Sequence, residues 1–210
     1  MKRLDAISEF IPPYKRIADI GCDHGYVIKI AFDKGYIDYA YAIDNKEGPI
    51  NRAKDTLKEY DNVDYYLSDG LDKIDSSIDC VIIAGMGGML IIDILDKNKD
   101  KLKYIKRLII EANKDEYKVR KYLTENGFYI FDETIVEEDN KFYEIDCFEH
   151  GKKEYCFNDL YFGKILIDKK DSLFVKKWKN KYHKYQNIKA YSEDDEKIKI
   201  MKGIKEILCK

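Results

Sequence analysis

Arg16-Ile17-Ala18-Asp19-Ile20-Gly21-Cys22-Asp23-His24-Gly25 is the stretch whose reading decides the fold. A short apolar run carrying one acid ends in glycine, and a second glycine follows four residues later. YVIKIAFDKG (26–35) then takes up helical spacing as far as Gly35. This is the pattern of a strand, a tight turn and a helix. Working outward, the alternation continues. YAYAID (39–44) reads as a strand, and GPINRAKDTLKEY (48–60) as a helix with Pro49 in its first turn. VDYYLSDG (63–70) and IDCVIIAG (78–85) are strands, GMLIIDILDKN (88–98) is a helix, and RLIIEAN (107–113) is a fifth strand. DEYKVRKYLTENG (115–127) predicts a helix with Gly127 just past its end. FYIFDETIVEEDNKFYEIDCFEH (128–150) predicts two strands turning near Asp139-Asn140. Upstream, Leu4, Ile7, Phe10 and Ile11 mark a helix stopped by Pro12-Pro13.

Continuous apolar strands alternating with helices imply a parallel sheet covered on both faces, to which a final antiparallel pair can be added at one edge. Seven strands closing on a hairpin give an α/β fold of the class I, Rossmann-like methyltransferase type. From residue 171 every strong signal is helical. Phe174, Trp178, Tyr185 and Ile188 fit helical spacing, as do Ile200, Ile204 and Ile207, and Ser192 with the acids after it opens a second helix. The expectation is a C-terminal helical hairpin or short antiparallel coiled coil. The aromatic stripe reads as its packing seam rather than as a base-stacking surface. This divides the chain into a ligand-binding domain over 1–165 and a helical appendage over 166–210.

Composition narrows the class. The 210 residues are 45% hydrophobic and 37% charged, which excludes a disordered chain. No apolar run approaches the roughly 20 residues that span a bilayer, and the N-terminus lacks a signal peptide's apolar core, so a cytoplasmic protein is expected. Five widely spaced cysteines without a CxxC pair argue for reduced thiols and against structural zinc, so no metal is expected. The net charge of −2 hides an asymmetry. Residues 1–150 carry 22 Lys and Arg against 31 Asp and Glu, whereas residues 151–210 carry 16 against 9. A basic tail on an acidic body suits a polyanionic partner, although a lysine-rich solvated face has the same composition.

The candidate site lies on the strand-to-helix loops. Gly21-x-x-x-Gly25 differs from the G-x-G-x-x-G of dinucleotide binders, and Asp19 and Asp23 beside it would repel a pyrophosphate. A cationic or zwitterionic nucleoside fits better, and S-adenosylmethionine is the obvious one. Asp44, at the end of the second strand, can accept ribose hydroxyls, with Asn45 next to it. Ser68-Asp69-Gly70 follows the third strand, where an adenine amine can be received. The alternative for each acid is a helix cap or solvated loop. All lie at successive C-terminal strand ends, where open α/β sheets bind ligands. Ala84-Gly85-Met86-Gly87-Gly88 follows the fourth strand, and its glycines imply backbone packed against something flat or bulky. Met86 reads as a ligand contact or as core. The Asp/Asn-Pro-Pro-aromatic box of many base-amine methylases is absent, which favours methylation of a ring nitrogen.

At these residues the chain resembles the TrmK-type tRNA (adenine-N1)-methyltransferases of bacteria. The resemblance rests on Arg3-Leu4, ADIGCDHGY (18–26), SDGL (68–71), IAGMGG (83–88), ETIVEEDNKFYEI (133–145) and FVKKW (174–178). It implies S-adenosylmethionine-dependent methylation of N1 of the adenine at position 22 of tRNA, with the helical tail assisting tRNA binding and Asp23 the acid nearest the reaction. One departure is Glu111-Ala112-Asn113, where Gln-Pro-Asn is expected. The expected cofactor contacts are Asp19, Gly21, Cys22, Asp44 and Asn45, followed by Ser68, Asp69, Gly70, Ala84 and Gly85. On the RNA side the expected contacts are Arg3, His24 and Met86, then Gly87, Gly88 and Asn113, with Lys176 and Lys177 as phosphate contacts in the tail. A monomer is expected, with weak dimerisation through the tail as the alternative. Competing readings are a methyltransferase of proteins or small molecules, an RNA-binding module with a vestigial nucleoside pocket, and a dehydrogenase.

Overall fold

The computed structural model describes residues 2–187 and 195–209. Ile188 and Ser192, assigned above to the tail's apolar stripe and to a helix start, lie outside the described residues. The chain divides into two compact units, Met1–Glu154 and Tyr155–Lys210.

The first unit opens with α1 (Arg3–Glu9), followed by β1 (Arg16–Ile20), α2 (Tyr26–Asp33), β2 (Tyr39–Asp44), α3 (Glu47–Thr56) and β3 (Val63–Leu67). Next come β4 (Cys80–Met86), α4 (Gly88–Lys97), the one-turn α5 (Lys99–Leu102), β5 (Arg107–Ala112) and α6 (Glu116–Glu125). The unit ends with β6 (Phe128–Glu138) and β7 (Lys141–His150). The seven strands form one sheet in the order β3-β2-β1-β4-β5-β7-β6. The first five are parallel, and β7 runs antiparallel to both β5 and β6. The expected seven-stranded sheet with a closing hairpin is present. The third strand is shorter than the sequence suggests, because Ser68, Asp69 and Gly70 leave the ladder and turn into the loop.

Both faces of the sheet are buried, which is why its parallel strands read as unbroken apolar runs. On one face Ile7 and Ile11, Ile28 and Ala31, and Ala53 and Leu57, from the first three helices and the turns that follow them, pack on Ile17, Ala40, Ala42 and Ile82. All ten are fully buried. The opposite face is covered by α4 and α6, whose Ile91, Leu95, Val119 and Leu123 are also fully buried. Beneath α6 sits a polar exception. Arg120 is entirely buried, and its guanidinium lies 2.8 Å from Glu133, 2.9 Å from Glu144 and 2.7 Å from Asp146. Burial pushes the Asp146 carboxyl well above the usual carboxylate range, with Arg120 opposing that shift. Three carboxylates on β6 and β7 thereby anchor the helix to the hairpin.

The second unit holds α7 (Phe157–Phe162), α8 (Lys164–Lys169), α9 (Ser172–Asn187) and α10 (Asp195–Cys209). Two long helices are present where the hairpin is expected, and the residues that join them lie outside the described residues. The two short ones carry no sequence signal, because a six-residue helix contains too few turns to show periodicity. The aromatic stripe is a packing seam. Phe174 is fully buried and Trp178 nearly so, and the Trp178 ring meets Phe162 edge-on at 4.6 Å. On α10, Ile200, Ile204 and Ile207 are buried. No helix among the described residues is long and apolar enough to cross a membrane. The five cysteines are free thiols, with Cys22, Cys80 and Cys147 buried and Cys156 and Cys209 exposed.

Candidate active site

Parallel strands place all their following loops at one sheet edge, and two adjoining cavities open there. The larger, about 380 Å³, reaches from β1 across to β3 and β4. Its polar wall is made of Asp44, Asn45, Lys46, Ser68 and Asp69, and its apolar wall of Ile20, Ile43, Pro49, Leu90 and Ile94. The second, about 330 Å³, is bounded by Arg3 and Leu4 of α1, by Asp19 and Cys22, and by His24, Tyr26 and Val27 at the start of α2. Gly21, Asp23, Ala84 and Gly85 line both cavities, so the two share one wall.

That wall is shaped by backbone. Gly21 has φ +73°, and its N–H donates to the Ile43 carbonyl at 2.8 Å, closing the β1 turn against β2. A β-carbon there would fall 2.2 Å from the Met86 methyl, which would have to swing aside, and the left-handed backbone itself disfavours any residue with a side chain. Gly85 also has positive φ, and nothing lies within 4 Å of where its β-carbon would be. Its bare backbone therefore faces open space, which a bound molecule can approach closely. Gly88 is glycine for another reason. A β-carbon would meet the Lys114 carbonyl at 2.7 Å, and its N–H donates to that same oxygen at 3.0 Å. The glycine run after β4 thus partly serves packing against the loop after β5. Asn113 completes this tie by donating its side-chain amide to the Gly85 carbonyl at 2.7 Å.

The acids differ sharply in environment. Asp19 is 5% exposed, and burial, reinforced by the charge of Asp44, raises its pKa to about 7. Asp44 accepts the Lys46 N–H at 3.0 Å through one oxygen. Asp23 is exposed and sits at φ +44°, a left-handed conformation that aspartate tolerates better than most residues. Its Oδ1 takes two hydrogen bonds from Arg52, at 2.5 Å from Nη2 and 3.2 Å from Nε. Its Oδ2 lies 3.9 Å from His24 Nε2. Glu111 is fully buried at the end of β5, and burial raises its carboxyl above the ordinary range. Its Oε2 accepts the Gly85 N–H at 2.9 Å and an Arg3 hydrogen bond at 3.2 Å. The charge that departs from expectation in Glu111-Ala112-Asn113 is therefore compensated by Arg3, whose guanidinium also lies over the Tyr143 ring at 4.7 Å. The Cys22 thiol is pushed up by burial and by neighbouring acids, which keeps it unreactive.

Of the expected cofactor contacts, Gly21, Asp44, Asn45, Ser68, Asp69, Gly70, Ala84 and Gly85 line the larger cavity, while Asp19 and Cys22 line the second. Asp23 and Met86 border the larger one, and Arg3, His24 and Asp23 the second. Gly87, Gly88 and Asn113 stand behind the wall and line neither. Lys176 and Lys177 lie in the second unit, on α9. Arg52, and the parts that Glu111 and Tyr26 take around these cavities, are not read from the sequence pattern. Arg52 had a findable signal, a cation on the helix that opens just after Asp44. The other two depend on contacts the linear pattern does not show. Among the described residues no group of His, Cys, Asp or Glu is placed to hold a metal ion.

The donor set of the larger cavity fits an adenosyl sulfonium compound. Its carboxylates suit hydroxyls, an amine and a positive charge, and its bare Gly85 backbone leaves room for close approach. Comparison with known proteins agrees with this chemistry. The family model for TrmK, tRNA (adenine(22)-N(1))-methyltransferase, matches residues 17–208. A curated tRNA (adenine(22)-N(1))-methyltransferase of Bacillus subtilis is 33% identical over 197 residues, spanning 89% of this chain and 83% of that protein. The crystal structure of Streptococcus pneumoniae Sp1610 in complex with S-adenosyl-L-methionine superimposes with a TM-score of 0.92 at 32% identity, covering 99% of both chains. The B. subtilis m1A22 tRNA methyltransferase TrmK superimposes with a TM-score of 0.84 at 30% identity, covering 99% of this chain and 97% of that one.

Proposed function

The chain belongs to the TrmK family of tRNA (adenine(22)-N(1))-methyltransferases, and from that premise we propose how its own residues divide the work. The enzyme methylates N1 of an adenine in tRNA, with S-adenosylmethionine as the methyl donor. The observation that carries our assignment is the pair of cavities meeting at one glycine-lined wall. We assign the larger to the cofactor and the second to the target base.

In the larger cavity Asp44 accepts the ribose hydroxyls, and Ser68 and Asp69 receive the adenine end. Asp19 and Cys22 line the second cavity instead, next to the shared Gly21. When bound, the cofactor supplies an electrophilic methyl on sulfur, so little chemical activation is required of the protein. Its main task is alignment. The target adenine must leave its stack or pair to expose N1, at a cost of a few kcal/mol. Arg3 and His24 border the space that receives it, and Asn113 holds the Gly85 carbonyl so that the shared wall keeps its shape. Asp23 stands in that wall, with Arg52 fixing its carboxylate. As the ring nitrogen is alkylated the base becomes cationic, and a carboxylate at this position stabilises the developing charge. Lys176 and Lys177 in the helical unit serve as phosphate contacts, which position the tRNA without reading its sequence. The protein works as a monomer in the cytoplasm, where its tRNA substrate resides.

The test is nucleoside mass spectrometry of a tRNA transcript incubated with enzyme and cofactor, with the modified position mapped. N1-methyladenosine at position 22, lost when that adenine is replaced by guanine, is the expected result. With Asp23→Ala, transfer is expected to fall about 100-fold or more while tRNA binding persists. Intact transfer by that variant refutes the role given to Asp23.

A further inference from the structure

One aromatic ring on the wall of the second cavity, Tyr26, has no part in the mechanism given so far. Tyr26 opens α2, is 49% exposed and borders the cavity together with His24. The two rings lie 2° from parallel with centroids 5.1 Å apart, an offset stack. An aromatic ring half open to solvent at the mouth of a base-sized cavity loses hydrophobic free energy in the free protein. Its ring is already oriented by His24, and His24 Nε2 in turn lies 3.9 Å from Asp23. The platform thus abuts the wall shared by the two cavities.

From this geometry we propose that Tyr26, backed by His24, stacks on the target adenine and stabilises the positive charge that the base acquires during methyl transfer. The proposal rests on the assignment of the second cavity to the base. The electron count gives its reason. The N1 lone pair forms the new N–C bond while the S–C bond breaks and its pair returns to sulfur. The charge leaves a sulfonium and arrives on the purine ring. A neutral adenine stacks on any flat surface. A purine becoming cationic is attracted further by the negative face of a tyrosine ring. That increment is absent in the ground state, so it lowers the barrier rather than tightening substrate binding. Tyr26 is accordingly a catalytic residue in contact with the reacting base, and His24 is a positioning residue that orients its ring.

The experiment is single-turnover methyl transfer to tRNA by the full chain. Tyr26→Phe should keep the rate within about twofold. Tyr26→Leu, of similar apolar bulk but without a π face, should slow transfer about 5- to 30-fold, with cofactor affinity unchanged by calorimetry and a smaller change in the KM for tRNA. Incorporation of phenylalanine bearing one to four ring fluorines at position 26 then isolates the charge effect, because each fluorine weakens the ring's negative face without changing its shape. The logarithm of the rate should fall stepwise along that series. A flat series, or wild-type transfer by Tyr26→Leu, overturns the platform while leaving the cavity assignment standing. Failure of the wild-type enzyme to methylate adenine in tRNA overturns both.

Discussion

Two groups of acids in the first unit meet opposite fates. At the β6–β7 hairpin, Glu133, Glu144 and Asp146 are buried and converge on one guanidinium, Arg120, which is itself fully buried. At the loop edge, Asp44 and Asp69 open onto a cavity, and Asp23 is exposed in the wall that two cavities share. The first arrangement holds secondary structure together and leaves nothing for a ligand. The second is only partly engaged, with Arg52 on one oxygen of Asp23 and the Lys46 N–H on one oxygen of Asp44, and so leaves carboxylate capacity for hydroxyls, an amine and positive charge. Asp19 stands between the two, buried like the first group yet bordering a cavity like the second. Burial therefore separates structural acids from ligand-facing ones only when the partner is considered as well.

The comparison is broken most directly at Arg120. Arg120→Ala strands three carboxylates in the interior, and the expected loss is about 3–5 kcal/mol of stability, read as a fall in the urea midpoint. An unchanged midpoint would show that solvent reaches the cluster. Next is Asp19→Asn in the free protein. The folded state holds the Asp19 proton more tightly than the unfolded chain does, because its pKa rises from 3.8 to about 7. The stability it lends is complete below about pH 4 and is lost as pH rises through about 7. The variant cannot ionise, so its stability relative to wild type should climb across that window by up to about 4 kcal/mol. Parallel pH curves for the two proteins would contradict a desolvated Asp19.

Asp44→Ala sharpens the contrast from the other side. It should cost about 10- to 100-fold in S-adenosylmethionine affinity by calorimetry, with the urea midpoint of the free protein unmoved. The smallest effect is expected in the second unit. Replacing Lys176 and Lys177 together by alanine should weaken tRNA binding. The slope of log affinity against log salt should shrink by about 0.7 to 0.9 for each phosphate that is no longer neutralised. An identical slope would make the two lysines part of a solvated helix face.

Much of this was legible in the chain. The β1 turn announced itself through Asp19-Ile20-Gly21, and the strands through apolar runs, because a parallel strand buried on both faces has no alternation to obscure it. Asp44 and Ser68-Asp69-Gly70 were readable for a related reason. Strand ends are local, and parallel topology brings all C-terminal ends to one edge. Arg120 could not be read in the same way. On a helical wheel it is one more charged residue, and its three acids lie 13 to 26 positions away. The Arg3–Glu111 pair spans 108 positions. Glu111-Ala112-Asn113 reads in sequence as an added charge near the base site, and only the fold shows that α1 brings an arginine to meet it.

The sequence alone determined which segments become strands and helices, where the chain turns, and that carboxylates and glycines gather at one sheet edge, since each follows from neighbours within a turn or a strand. The tertiary structure decided which of those carboxylates are silenced by arginine, that the glycine wall divides two cavities, and that Tyr26 and His24 form a stack. These depend on distance in space, on desolvation and on side-chain orientation, which the order of residues along the chain does not record.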